Sequence, residues 1–244
     1  MASTKLFIYN RLDECFSVNQ IISGYSPELF EKIGFDETPK ERSLYRCIER
    51  IGKNYQFILS RHLEFVHDER LITDTQFIDF SSSYFEGKKC ELAEYGHSRD
   101  GQPNKKQITF GISTGINGIP SALTIQKGNT QDKVHFRTML KTSEAVLDEN
   151  SLLIFDTGGN TKENKKQIRS KKFHYLTLRQ KKIGPYKKLI EIYNKGNKIE
   201  ITIEGIRYLC VKHKTEDETS YIFFFTKIKG RTIGAKRAQV QKNP

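Results

Sequence analysis

Leu152-Leu153-Ile154-Phe155-Asp156-Thr157-Gly158-Gly159-Asn160 is the stretch that decides how this chain is read. Four consecutive apolar residues predict a short strand buried on both faces, as in a parallel sheet. The strand ends on a carboxylate, and a loop with two glycines follows. A carboxylate at the end of a core strand is costly to desolvate unless something pairs with it. Downstream, residues 161–170 predict a helix and Phe173 to Leu178 a further strand. Upstream, Gly128-Asn129-Thr130 predicts a helix start, with Val134, Met139, Leu140, Val146 and Leu147 on the inner side.

Three more strands precede that helix. Residues 106–113 alternate, with apolar side chains at Ile108, Phe110 and Ile112. Asn117-Gly118 is a hairpin turn signal, and Ile119 to Ile125 returns antiparallel. Residues 75–81 form another strand with Asp79 inside it, between Ile78 and Phe80. The order is three strands, helix, strand, helix, strand. It fits an α/β fold, a mixed sheet with flanking helices in an RNase H-like layout. In that layout the first and fourth strands are neighbours, so Asp79 and Asp156 would face each other. Two carboxylates that close repel, and a divalent cation relieves the repulsion. Oxygen ligands without His or Cys suit Mg²⁺ or Mn²⁺, which support phosphodiester chemistry. The competing reading pairs Asp79 with a lysine and lets Asp156 cap the next helix.

Residues 1–70 read as an N-terminal helical segment. Ser26-Pro27-Glu28 is one helix start, and Thr38-Pro39-Lys40-Glu41 has the spacing of a capping box. Leu44, Ile48 and Ile51 line one helix; Tyr55, Ile58, Leu59, His62 and Val66 line the next. A plain helical hairpin is favoured over a helix-turn-helix, with His62 in its core. Residues 71–197 make the RNase H-like core. Residues 198–228 read as a partial β-rich insertion, and 229–244 as a frayed basic tail.

The net charge of +12 is unevenly placed. Residues 1–156 hold 19 basic and 22 acidic residues, and residues 157–244 hold 22 and 7. The excess points to a polyanion, most simply nucleic acid. Lys162, Lys165, Lys166, Arg169, Lys171, Lys172, Arg179, Lys181 and Lys182 begin just after Asp156, where a phosphate backbone would meet them. Four dispersed cysteines form no CxxC pair, which fits a reducing compartment. No stretch is apolar for the roughly 18 residues a membrane span needs, and no secretory signal is expected.

Several segments together resemble the DDE transposases of prokaryotic insertion sequences, in the branch with a β-rich insertion between the second and third catalytic acids. They are residues 79–87 (DFSSSYFEG), 94–101 (EYGHSRDG), 106–111 (KQITFG), 118–120 (GIP), 128–132 (GNTQD) and 155–160 (FDTGGN). The resemblance implies metal-dependent hydrolysis and strand transfer at insertion-sequence DNA ends. Asp79 and Asp156 match the first two catalytic, metal-binding acids, with Mg²⁺ or Mn²⁺ as the cofactor. The partner is double-stranded DNA at transposon ends, a homodimer is allowed, and the location is cytoplasmic, with the nucleoid. The third acid, a Glu in a Tyr–Arg–Glu signature, has no match. Asp132 and Glu163 are nearby acids at other positions. The chain therefore reads as a C-terminally truncated, catalytically incomplete transposase. The alternatives are a non-catalytic DNA-binding fragment that blocks the full-length enzyme, or a metal-dependent nuclease with another third carboxylate.

Overall fold

The computed structural model describes residues 1–87, 89–97, 101–102, 104–179, 183–203, 206–223 and 237–240. The chain divides into two compact units, residues 1–64 and 65–244. The first is helical, with α1 (Ala2–Leu12), α2 (Ile21–Gly24), α3 (Pro27–Ile33), α4 (Glu41–Lys53) and the start of α5 (Tyr55–Asp68). Leu6, Ile21, Phe30 and Leu44 form its core, and Phe7, Phe16, Tyr25 and Phe35 pack around them. α3 starts as its sequence predicts, with Ser26 at the N-cap and Pro27 in the first turn. α4 does not. Its N-cap is Lys40, without a side-chain cap bond. Pro39 is buried instead, and a residue before proline is biased away from helical backbone. A single residue, Asn54, separates α4 from α5, too few for the turn of a helix-turn-helix.

The second unit is built on β1 (Thr75–Phe85), β2 (Lys106–Gly115), β3 (Pro120–Lys127), α6 (Asp132–Glu144), β4 (Leu152–Phe155), α7 (Lys162–Ser170) and β5 (His174–Leu178). The strands lie in the order β3-β2-β1-β4-β5. β1 pairs antiparallel with β2 and parallel with β4, and β4 pairs parallel with β5. This is the RNase H-like mixed sheet that the element order predicts. The β2–β3 turn runs through Asn117-Gly118, where Gly118 takes φ 77°, a conformation glycine adopts without cost.

One face of this sheet is packed. Ile78, Phe80, Ala122, Leu153, Phe155 and Tyr175 meet Phe136, Met139 and Leu140 of α6 and Ile168 of α7. The inner side of α6 differs from the sequence reading. Val134 is 47% exposed, while His135 and Phe136 are buried. His135 is accommodated because its Nε2 lies 2.8 Å from Thr124 Oγ1, so the buried polar atom has a partner. The other face is more open. It carries Phe77, which is 45% exposed, and half-buried Phe110, Ile112, Ile154 and Leu176.

Beyond β5 come α8 (Ile183–Lys195), β6 (Lys198–Ile203), β7 (Ile206–Lys214), β8 (Thr219–Phe223) and β9 (Arg237–Val240). The strands β6 to β8 form an antiparallel meander. Residues 237–240, read from sequence as part of a frayed tail, form β9 instead. β9 pairs antiparallel with both β5 and β8, so one nine-stranded sheet runs from β3 to β6. Backbone pairing on both edges supplies what the weak apolar pattern of this segment does not.

Candidate active site

Asp79 lies in the middle of β1, on the open face. The strand alternates, with Gln76, Ile78 and Phe80 buried and Phe77 and Asp79 exposed. Asp156 follows the last residue of β4 and is exposed too. The parallel ladder runs from Thr75↔Leu152 to Ile78↔Phe155. One step further, that register sets Asp79 beside Asp156. Asp79 leaves the face opposite to buried Ile78, and Asp156 is exposed just past buried Phe155; neighbouring strands lie about 4.8 Å apart. The desolvation expected for these acids is avoided because this face is open.

Each carboxylate is steadied by backbone. Asp79 Oδ1 accepts from Phe80 N at 2.8 Å. Asp156 Oδ1 accepts from Gly158 N at 2.8 Å, and Thr177 Oγ1 donates to the Asp156 carbonyl at 2.9 Å. The competing structural roles are taken by other groups. α7 is capped by Thr161, whose Oγ1 accepts from Asn164 N at 3.1 Å. Among the described residues, neither acid enters an ion pair.

The loop behind Asp156 is held against the start of α6. Gly158 has no positive φ, so its conformation alone does not require glycine. Its surroundings are close. A methyl group there would lie 2.5 Å from Asp132 Oδ2 and 3.0 Å from Asp132 Cβ. Asn164, fully buried on α7, completes the junction. Its Nδ2 donates to the carbonyls of Lys133 at 3.1 Å and Gly159 at 3.0 Å. The neighbouring motifs are tied by Gln107, whose Nε2 donates to the carbonyls of His97 and Gly128. Ser98, Arg99 and Asp100 of the 94–101 segment lie outside the described residues.

The basic residues expected to meet DNA separate into groups. Lys162 and Lys166 on α7 and Arg179 after β5 are exposed. Lys171 and Lys172 form ion pairs with Glu144 and Glu149. Lys165 is turned inward. It pairs with Glu218 of the β7–β8 turn, and the two side chains are 13% and 15% exposed. Tyr175 donates its hydroxyl to the same carboxylate at 2.6 Å, and the Lys165 ammonium lies 6.0 Å from the Tyr175 ring centroid. Burial pushes the Tyr175 hydroxyl up in pKa, and the Glu218 carboxylate pushes it further. Burial also works to raise Glu218, but the bonds from Lys165 and Tyr175 outweigh it and hold the acid below its ordinary value. Arg169 stands beside this cluster and acts on both groups. Lys181 and Lys182 lie outside the described residues.

Two adjacent carboxylates on an open face fit a hard divalent cation. Mg²⁺ commonly takes one or two carboxylates and completes its shell with water and substrate phosphate. Among the described residues no group of three His, Cys, Asp or Glu side chains is placed to hold a metal ion.

No family model matches the chain, and no curated protein matches it in sequence. Among solved structures it is similar to a piggyBac transposase, seen by cryo-EM in a synaptic complex with hairpin DNA. The TM-score is 0.56 at 10% identity, over 98% of this chain and 50% of that one. The likeness is one of fold. The chain spans half the length of that transposase chain. No helix among the described residues is long and apolar enough to cross a membrane.

Sequence reading missed Asn164 and Glu218. An asparagine in a charged helix carries no periodic signal, and its burial is visible only once α6 and α7 are side by side. Glu218 gave a weak sign as an acid within a strongly basic third of the chain.

Proposed function

We propose that this chain acts on DNA as a transposase-like protein, with Asp79 and Asp156 as the metal-binding pair. The observation that carries the reading is the parallel β1–β4 register, whose last pair, Ile78↔Phe155, directly precedes the two exposed acids. The fold likeness to a DNA-bound transposase supports it. The substrate class is double-stranded DNA at insertion-sequence ends, and the chemistry is phosphodiester hydrolysis and strand transfer.

A divalent cation, when bound, supplies Lewis acidity at the phosphodiester. The chain supplies the rest. Asp79 and Asp156 offer hard oxygen ligands, and the amides of Phe80 and Gly158 each fix one oxygen. Such partners orient metal ligands before the metal arrives. Lys162, Lys166 and Arg179 are exposed and hold the phosphate backbone without reading its sequence. Among the described residues no third acid stands with the pair; two carboxylates place a metal weakly, and placement is most of phosphoryl-transfer catalysis. This chain alone therefore binds DNA better than it cuts it. That favours a DNA-occupying fragment over a nuclease built on a different third acid.

The test is a pair of titrations on the whole chain. Mn²⁺ binding followed by electron paramagnetic resonance should fall in Asp79→Asn and in Asp156→Asn. Binding of a transposon-end duplex should persist in both variants and weaken steeply with salt. Equal Mn²⁺ affinity in wild type and both variants would defeat the metal reading. Salt-independent DNA binding would defeat the electrostatic one.

A further inference from the structure

Gly158 touches two carboxylates at once. Its amide donates to Asp156 Oδ1 at 2.8 Å, and a methyl group on its α-carbon would lie 2.5 Å from Asp132 Oδ2, so the Asp132 side chain would have to shift. Gly159 is packed just as closely, since a methyl group there would lie 2.7 Å from the Phe136 ring and 3.0 Å from that of Phe155. Asn164 then fastens the Gly159 carbonyl to that of Lys133, the residue after Asp132. The first turn of α6 thus forms a wall, and the loop carrying the Asp156 partner amide closes against it.

We propose that Asp132 is a positioning residue for Asp156. It sets where Gly158 sits, and Gly158 sets which way the Asp156 carboxylate points. The metal-related part of this inference rests on the two-carboxylate reading; the mechanical part does not. The ordinary alternative is that Asp132, an acid in the first turn of α6, only favours the helix dipole. That role would leave the Gly158 amide untouched.

Two readouts separate these cases. The first is hydrogen exchange of the Gly158 amide in metal-free protein with ¹⁵N-labelled glycine. Asp132→Ala should speed exchange at Gly158 about tenfold or more, because the bond to Asp156 opens when its backing is removed. Unchanged exchange at Gly158 in the folded variant overturns the proposal. If Asp132→Ala does not fold, Asp132→Ser keeps a short polar side chain in the first turn and is read the same way. The second is Mn²⁺ affinity, expected to fall about tenfold in the same variant, the scale on which supporting groups act. Wild type and Asp79→Asn binding Mn²⁺ equally would remove the metal reading, while exchange at Gly158 would still decide the role of Asp132. Faster exchange with unchanged Mn²⁺ affinity, in a protein whose Asp79→Asn variant has lost affinity, would overturn the link from Asp132 to the metal pair.

Discussion

Tyr175 and Glu218 are 43 residues apart in the chain and share a 2.6 Å hydrogen bond. Tyr175 belongs to β5 and Glu218 to the β7–β8 turn, so one carboxylate joins the meander to the core sheet. Lys165 reaches the same carboxylate from α7. Removing the acid leaves a nearly buried ammonium unpaired. Glu218→Ala should cost about 3–5 kcal/mol, the range for breaking a buried pair from one side, measured by urea unfolding.

The same group predicts a pH dependence. Its folded pKa lies below the model-compound value of 4.5. The stability it contributes is therefore complete above about pH 4.5 and is lost as the pH falls through the lower folded value. Unfolding of Glu218→Gln, compared with wild type between pH 6 and 3, should show a shallower acid-side loss. Parallel curves would mean that the folded carboxylate titrates normally.

Exposed and inward-facing lysines should behave differently on DNA. Lys162→Ala, Lys166→Ala and Arg179→Ala should each lower the slope of log affinity against log salt by about 1. Their unfolding midpoints should stay unchanged. Lys165→Ala should do the reverse, because its charge is already matched inside the fold. Fluorescence anisotropy over a salt series, beside thermal melts, separates the two patterns.

Asn164→Ala removes both donors that hold the Asp156 loop to α6. The carbonyls of Lys133 and Gly159 each lose one bond, and that of Gly159 keeps the Thr161 amide at 2.9 Å. A loss of about 0.5–1.5 kcal/mol per bond is expected. Asn164→Asp should be no milder, since it replaces the donating amide by an acceptor. Chemical denaturation of the two variants checks this.

Phe136 is fully buried, with Phe155 at 4.6 Å and Phe80 at 6.3 Å between ring centroids. Phe136→Ala should cost about 3–5 kcal/mol and Phe136→Leu much less, by the same unfolding measurement.

The sheet was legible because its signals are local and repeated. The run at 152–155, the alternation at 108–112 and the Asn117-Gly118 turn each specify one element, and their order specifies the layout. That β1, which carries Asp79, lies beside β4, which ends just before Asp156, followed from that layout. Other features depend on what arrives from elsewhere in the chain. Nothing near Asn164 announces that two carbonyls will need it. Thr38 lost its expected capping role because Pro39 is drawn into a buried place. Val134 has an inward-looking sequence position, but the helix starts at Asp132 and turns His135 and Phe136 inward instead. His135 reads as polar until Thr124 stands beside it.

The place of β9 bears on how the second unit is made. Residues 237–240 lie between β5 and β8, and among the described residues no other strand joins those two. During synthesis the β3-to-β5 strands and the β6–β8 meander are both complete in sequence before the segment that links them appears. Two partial sheets must therefore wait with an unpaired edge each, at β5 and at β8. Such edges can recruit strands from other chains, and they persist for as long as the long-range closure takes. Expression at lower temperature or lower rate should raise the soluble yield of this chain, and deletion of residues 237–240 should lower it.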